Sequence, residues 1–228
     1  MEKTNSVYLD GLVSVCHGFQ RLVDGGVEAD FTLSTAIANP DATAEMTIRE
    51  RVKEFMHHRV KVTAGPGAEA DRLTALAESC RHGETELRIY KAKGVLIELN
   101  EDSVVLCDSK DFQKSSIMTL SNNNEAVIVG TIDTMSHSDA FGIITLDTGV
   151  SKVKAFFPKS TFRVAWESIS SGKLGKGDLL SMKGPLLNQS YTDGNMTIRF
   201  AVLTPHQMKQ FKLKEDLTSR RKKSHGVE

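Results

Sequence analysis

With 228 residues, 39% hydrophobic and 25% charged, the chain has material for a real core, and a disordered chain is excluded. Its length suits one large domain or two of about 100 residues each. Lys/Arg and Asp/Glu balance at 29 each, which excludes a uniformly basic or acidic protein. The balance conceals a split. Residues 1–125 hold 14 Lys/Arg against 20 Asp/Glu, and residues 126–228 hold 15 against 9. Seven of those 15 basic residues, against three acids, lie in the tail 207–228.

Cys16, Cys80 and Cys107 form no C-x-x-C and are odd in number. This excludes a disulfide framework and points to a reducing, cytoplasmic setting. No apolar run is long enough for a membrane span or a signal peptide, so no membrane partner is expected.

In chain order, Tyr8, Leu12, Val15, Phe19 and Leu22 recur every three or four residues and predict a helix over 6–24. Asp10-Gly11 offers a hairpin turn as the alternative. Val27, Ala29, Phe31 and Leu33 alternate with polar residues as in a half-buried strand, and a second alternating run at 42–48 follows Asn39-Pro40-Asp41. A helix to about His57 and then a strand is expected over 49–63. The pair His57-His58 reads as surface.

Gly65-Pro66-Gly67 opens a helix over 68–82. Short strands are expected at 86–92, 94–99 and 103–107, with Lys93-Gly94 as a turn. The polar run ending in Ser121-Asn122-Asn123-Asn124-Glu125 marks a boundary. No internal repeat is evident.

From Ala126 the order is strand (126–134), strand (141–147), strand (151–157), helix (160–170), strand (178–188) and strand (196–203). Asp147-Thr148-Gly149 and Thr192-Asp193-Gly194-Asn195 supply hairpin turns. That order resembles the OB-fold, a five-stranded Greek-key barrel that commonly binds oligonucleotides or oligosaccharides. Thr204-Pro205-His206-Gln207 carries helix-start chemistry, so a C-terminal helix is expected. The fold class expected is therefore α+β. It comprises an N-terminal mixed helix and antiparallel-strand domain (1–112), a polar linker (113–125), an OB-like barrel (126–204), and a helix with a basic tail (205–228).

Strict alternation sorts the barrel strands into faces. Burying Lys152 and Lys154 would cost several kcal/mol each, so they point outward, and Phe156 with them. Val153, Ala155 and Phe157 then point inward, as do Ile144, Leu146, Leu180 and Met182. The resemblance places the ligand on the outer face of the second and third strands and the adjoining loops. The candidate nucleic-acid-binding residues are Phe141, Lys152, Lys154, Phe156, Tyr191, Lys183 and Arg199. Rings for stacking beside lysines for phosphates are the chemistry of sequence-tolerant single-strand binding. The same apolar residues could instead pack on a protein partner or a second copy of the chain.

Other chemistry is thin. Gly65-Pro66-Gly67-Ala68-Glu69-Ala70 fits a phosphate loop formally, but Pro66 removes an N–H and Glu69 brings negative charge to the helix start. Cys16-His17 and Cys80-Arg81-His82 match no zinc spacing. Enzyme motifs are absent, and Asp133, Asp139 and Asp147 are unremarkable loop or strand-end acids. The expectation is a non-enzymatic binding module with no cofactor and no metal.

Overall fold

The computed structural model describes residues 4–38, 41, 43, 45–46, 52–82, 89–99, 102–115, 124–160, 163–193, 196–203 and 207–211. In chain order these hold strands β1 (Thr4–Arg21), β2 (Val27–Ala38) and β3 (Val52–Ala64), helix α1 (Ala68–Arg81), and strands β4 (Ile89–Leu99), β5 (Ser103–Asp108) and β6 (Phe112–Lys114). There follow β7 (Asn124–His137), β8 (Phe141–Asp147), β9 (Lys152–Pro158), helix α2 (Arg163–Ser170), β10 (Leu179–Gly184), β11 (Leu186–Asp193), β12 (Met196–Leu203) and β13 (Gln207–Phe211).

The α+β expectation is corrected, because the chain is mostly β. The stretch 6–24, expected as a helix, lies largely in the long strand β1, because bulges between Val13 and Val15 and between Cys16 and Gly18 break its alternation. Each bulge shifts the phase of the apolar positions, and a strand so interrupted imitates helical spacing. From Val52, β3 replaces the second helix, with Met56, His58, Val60, Val62 and Ala64 buried in alternation. Lys93-Gly94 is no turn, since β4 runs on through it. Where a C-terminal helix was expected, β13 pairs with the edge of β10. Residues 204–206, which carry the cap signature, lie outside the described set, and pairing with a sheet edge overrides local propensity here. Strands β7, β8, β9, β12 and helix α2 stand near their expected positions, and the expected fourth strand is split into β10 and β11 at Pro185.

Strands β7, β8 and β9 form an antiparallel meander, β10 returns to β7, and β11 pairs with β12, which runs parallel to β9 at Leu203 and Ala155. This is the OB closure. The same connections occur in the first half. There β1, β2 and β3 form the meander, β4 returns to β1, and β5 pairs with β4 and runs parallel to β3. Helices α1 and α2 both connect the third strand to the fourth. A short strand then lines the fourth strand of each barrel, β6 on β4 and β13 on β10.

The repeat extends to single residues. The Asn5 side chain donates to the Leu96 carbonyl (2.7 Å) and accepts from its N–H (3.0 Å). Asn124 does the same to Leu186, at 2.6 and 3.0 Å. Leu96 follows Lys93-Gly94-Val95, and Leu186 follows Lys183-Gly184-Pro185. Gly11 and Gly130 hold the matching place further along each first strand. A Cβ there would sit 2.3 Å from the Ser34 carbonyl oxygen and 2.6 Å from that of Asp147, so only glycine admits the second strand this closely. The bulge after Val13 recurs after Ile132.

Strands β1 and β7 pair antiparallel, with Val7 opposite Ala126, Asn5 opposite Ile128 and Leu9 opposite Asn124. Val7 and Ala126 are counterparts in the repeat, so the ladder maps onto itself through that pair. This is the self-complementary geometry of a two-fold interface, made within one chain. One contiguous core results, from Val7, Leu9, Phe31 and Leu96 to Ile128, Ile144, Phe157 and Leu180.

His58 sits where the barrels meet. Fully buried, it takes Thr35 Oγ1 at 3.0 Å on Nε2 and Ser103 Oγ at 2.6 Å on Nδ1, and the Asn124 amide donates to Nε2 at 3.4 Å. Burial, followed by repulsion from His57, pushes its pKa down to about 3. The ring is neutral in the folded chain and protonates more readily in the unfolded one. Stability is therefore complete above the usual histidine range and falls as pH drops from about 6.5 toward 3. The loss of stability between about pH 6.5 and 4, measured by urea denaturation followed by circular dichroism at each pH, is expected to be smaller in His58→Gln than in the parent. Asn124→Ala, which strands the Leu186 peptide group, is expected to cost about 1–3 kcal/mol in urea denaturation at neutral pH.

Candidate functional site

The outer face of β8 and β9 is built by the alternation that the lysines impose. Val153, Ala155 and Phe157 are buried, as are Ile144 and Leu146. Lys152 and Lys154 are exposed, and Phe156 is half-buried. Cross-strand pairing sets Phe141 opposite Pro158, Ile143 opposite Phe156, Thr145 opposite Lys154 and Asp147 opposite Lys152. The Phe141 and Phe156 rings meet on the diagonal, with centroids 5.3 Å apart and planes tilted by 38°. Beside them β7 contributes Thr134 and Ser136, opposite Thr145 and Ile143. The row thus runs from two rings through Ile143 and Thr145 to two lysines.

The lysines differ. Lys152 Nζ lies 2.7 Å from Asp133 Oδ2, the bulge residue of β7, and this contact raises the lysine pKa and lowers that of the aspartate. Lys154 stands opposite Thr145, at the centre of the row.

The ring end is braced by contacts that the sequence did not signal. The Ser138 hydroxyl accepts from the Ala140 and Phe141 N–H groups, and the Ser138 N–H donates to the Phe141 carbonyl. Trp166 Nε1 donates to the Ser138 carbonyl at 2.9 Å, and Lys159 lies over the Trp166 ring, 3.9 Å from its centroid. The lone tryptophan of α2 therefore anchors the β7–β8 loop that presents Phe141. Its position on a short helix outside the strand pattern hid this role.

The remaining candidates are dispersed. Lys183 lies opposite Val127, on the part of β7 that pairs with β10, and bonds Glu125 at 2.9 Å. It is not brought to the β8–β9 row. Tyr191 and Arg199 belong to the β11–β12 hairpin, opposite Ile198 and Ser190.

The other motifs are absorbed by the fold. Gly67 caps α1, and Glu69 is held by Arg72, whose guanidinium also reaches the Ser109 and Phe112 carbonyls at 2.8 Å. His17 is bonded to Thr32 at 2.6 Å. Burial pushes the Cys107 thiol up to about 12. Among the described residues no group of three or more His, Cys, Asp or Glu is placed to hold a metal ion. Also among them, no helix is long and apolar enough to cross a membrane.

Comparison with solved structures finds a similar fold over nearly the whole chain. The chain is similar to the crystal structure of wild-type single-stranded DNA binding protein from Thermus aquaticus, with TM-score 0.59, 16% identity, and 93% of this chain and 95% of that one covered. A deletion mutant of that protein aligns with TM-score 0.55 and 14% identity, over 93% of this chain and 96% of that one. No family model matches the sequence, and no curated protein matches it. At such identity the likeness is one of fold, the OB-fold.

Removing the Phe156 ring leaves the inward face of β9 intact. Phe156→Ala is expected to unfold as cooperatively as the parent, with a loss of about 1 kcal/mol, the worth of one aromatic pair, measured by the urea midpoint.

Proposed function

We propose that the chain is a non-enzymatic single-stranded nucleic-acid-binding protein, with the outer face of β8 and β9 as its contact surface. The observation that carries this reading is the Phe141–Phe156 ring pair, 5.3 Å between centroids, beside exposed Lys154 and Lys152 on the ligand face of an OB barrel. Bases stack on the rings and phosphates meet the lysines. Such a surface tolerates sequence, because every base has a π-face. The similarity in fold to a protein described as binding single-stranded DNA supports the reading. Tyr191 and Arg199, on the hairpin beyond β9, extend the surface in this proposal. The three cysteines form no disulfide, which fits a reducing cytoplasmic setting.

Anisotropy titration of a labelled single-stranded oligonucleotide at two salt concentrations tests the proposal. Binding is expected to weaken with salt, and Phe156→Ala is expected to lower affinity roughly 10-fold or more, as loss of a stacked base does. Absence of binding at low salt would refute it. A concentration-dependent mass shift lost in Phe156→Ala would assign the rings to a protein partner or a second copy.

A further inference from the structure

The repeat assigns each residue of the β8–β9 face a counterpart on β2–β3. Val15 on β1 lies opposite Thr32 as Thr134 on β7 lies opposite Thr145, each just past the shared bulge. Thr32 pairs with Arg59 as Thr145 pairs with Lys154. Counting outward along both ladders, Asp30 and Lys61 stand where Ile143 and Phe156 stand. Glu28 and Thr63 stand where Phe141 and Pro158 stand. One basic position is retained, Arg59 for Lys154, and the ring pair is replaced by Glu28 and Lys61.

In place of the stacked rings there is an open cavity of about 290 Å³, lined by Gly18, Phe19, Gln20, Glu28, Asp30 and Lys61. Its chemistry is specific. Asp30 is held by Arg59, whose Nε donates to Oδ1 at 2.9 Å. Glu28 receives a long contact of 3.4 Å from the Gln20 amide. Ionised carboxylates only accept hydrogen bonds, and Lys61 only donates, whereas Phe19, opposite buried Ala29, packs against the core on the other face of the sheet.

We propose that this cavity takes one unstacked, amino-bearing nucleobase of the single strand, with Glu28 accepting from the exocyclic amine and Lys61 donating to the adjacent ring acceptors. The inference rests on the nucleic-acid reading above and deepens it. Cytosine presents an amino donor where thymine presents a carbonyl acceptor, and acidic side chains accept from that amine. A thymine carbonyl set against Glu28 would meet acceptor with acceptor. The two barrels then divide the work, the second holding bases by stacking and the first selecting by hydrogen bonds to an unstacked base.

The test is equilibrium binding of labelled oligo(dC) and oligo(dT) of roughly 15 nucleotides, near the upper site size of one OB barrel. The proteins compared are the full chain, Glu28→Gln, Lys61→Ala and Phe156→Ala. The parent is expected to prefer oligo(dC) by about 10-fold, the scale of one well-placed base contact. Glu28→Gln is expected to bring the preference to within about two-fold by raising oligo(dT) affinity, since the Gln amide can donate to the thymine carbonyl, while the melting temperature stays at the parent's value. Lys61→Ala is expected to reduce the preference in the same direction, and Phe156→Ala to weaken both oligonucleotides equally. Equal binding of the two by the parent, or a preference that survives Glu28→Gln, would overturn the cavity assignment. If Phe156→Ala still weakened binding, the stacking surface would stand. Failure of the parent to bind either oligonucleotide would overturn both readings.

Discussion

The antiparallel pairing of β1 with β7 is the constraint on which the rest of the molecule depends. It joins the two barrels into one sheet, and it does so between counterpart strands, with Val7 against Ala126 at the centre. A self-complementary ladder must satisfy its neighbours twice over, and the repeated features follow from that need. Asn5 and Asn124 each tie the main chain of a fourth strand, at Leu96 and Leu186. Gly11 and Gly130 each allow a second strand to approach closer than any Cβ would permit. The amide of Asn124 also reaches His58 of the first barrel, and that of Asn5 reaches Ser151 of the second at 3.2 Å. The clamps that shape each barrel therefore also hold the barrels together.

Symmetry of backbone does not carry symmetry of surface. Most core positions face the same packing requirement in both halves and remain apolar, as Leu33 and Leu146 do, whereas buried His58 stands at the counterpart of Val153. The outer positions of β2–β3 and β8–β9 are free of that requirement and have diverged. One face carries two rings and two lysines. The other carries cross-strand polar pairs, Asp30 with Arg59, His17 with Thr32, and Ser34 with His57 at 2.8 Å, with an open cavity at one end. Function in such a molecule resides in what each face places on the same frame.

How much of this was legible from sequence depended on whether local pattern and tertiary role agreed. In the second barrel they agreed. Lys152, Ala155 and Phe156 could be sorted into faces because the cost of burying a lysine settles the phase of β9. In the first barrel they disagreed. Bulges put Leu12, Val15 and Phe19 at helical spacing, and the broken alternation of β1 hid its hairpin with β2, the next strand in the chain. Gly11 and Gly18, each costly in a helix interior, were the signal available there. His58 misled because a histidine counts as polar, and only its contacts with Thr35, Ser103 and Asn124 reconcile it with burial. The repeat itself survives in few identities, among them Asn5 with Asn124, Gly11 with Gly130 and Lys93-Gly94 with Lys183-Gly184. These are the positions where backbone geometry, rather than apolar bulk, dictates the residue. At the candidate site the ring pair and Lys154 were readable, whereas the bracing of the β7–β8 loop by Trp166 and the separation of Lys183 required the fold.

In the proposed function, nucleic acid lies across the Phe141–Phe156 rings. Photo-cross-linking of a uniformly thymidine single strand to the full chain, followed by peptide mass spectrometry, tests it most directly. Adducts at Phe141 and Phe156, lost when excess unlabelled strand competes, are the predicted result. Adducts confined to the basic tail beyond Phe211, or none on β8 and β9 at saturating oligonucleotide, would contradict the account.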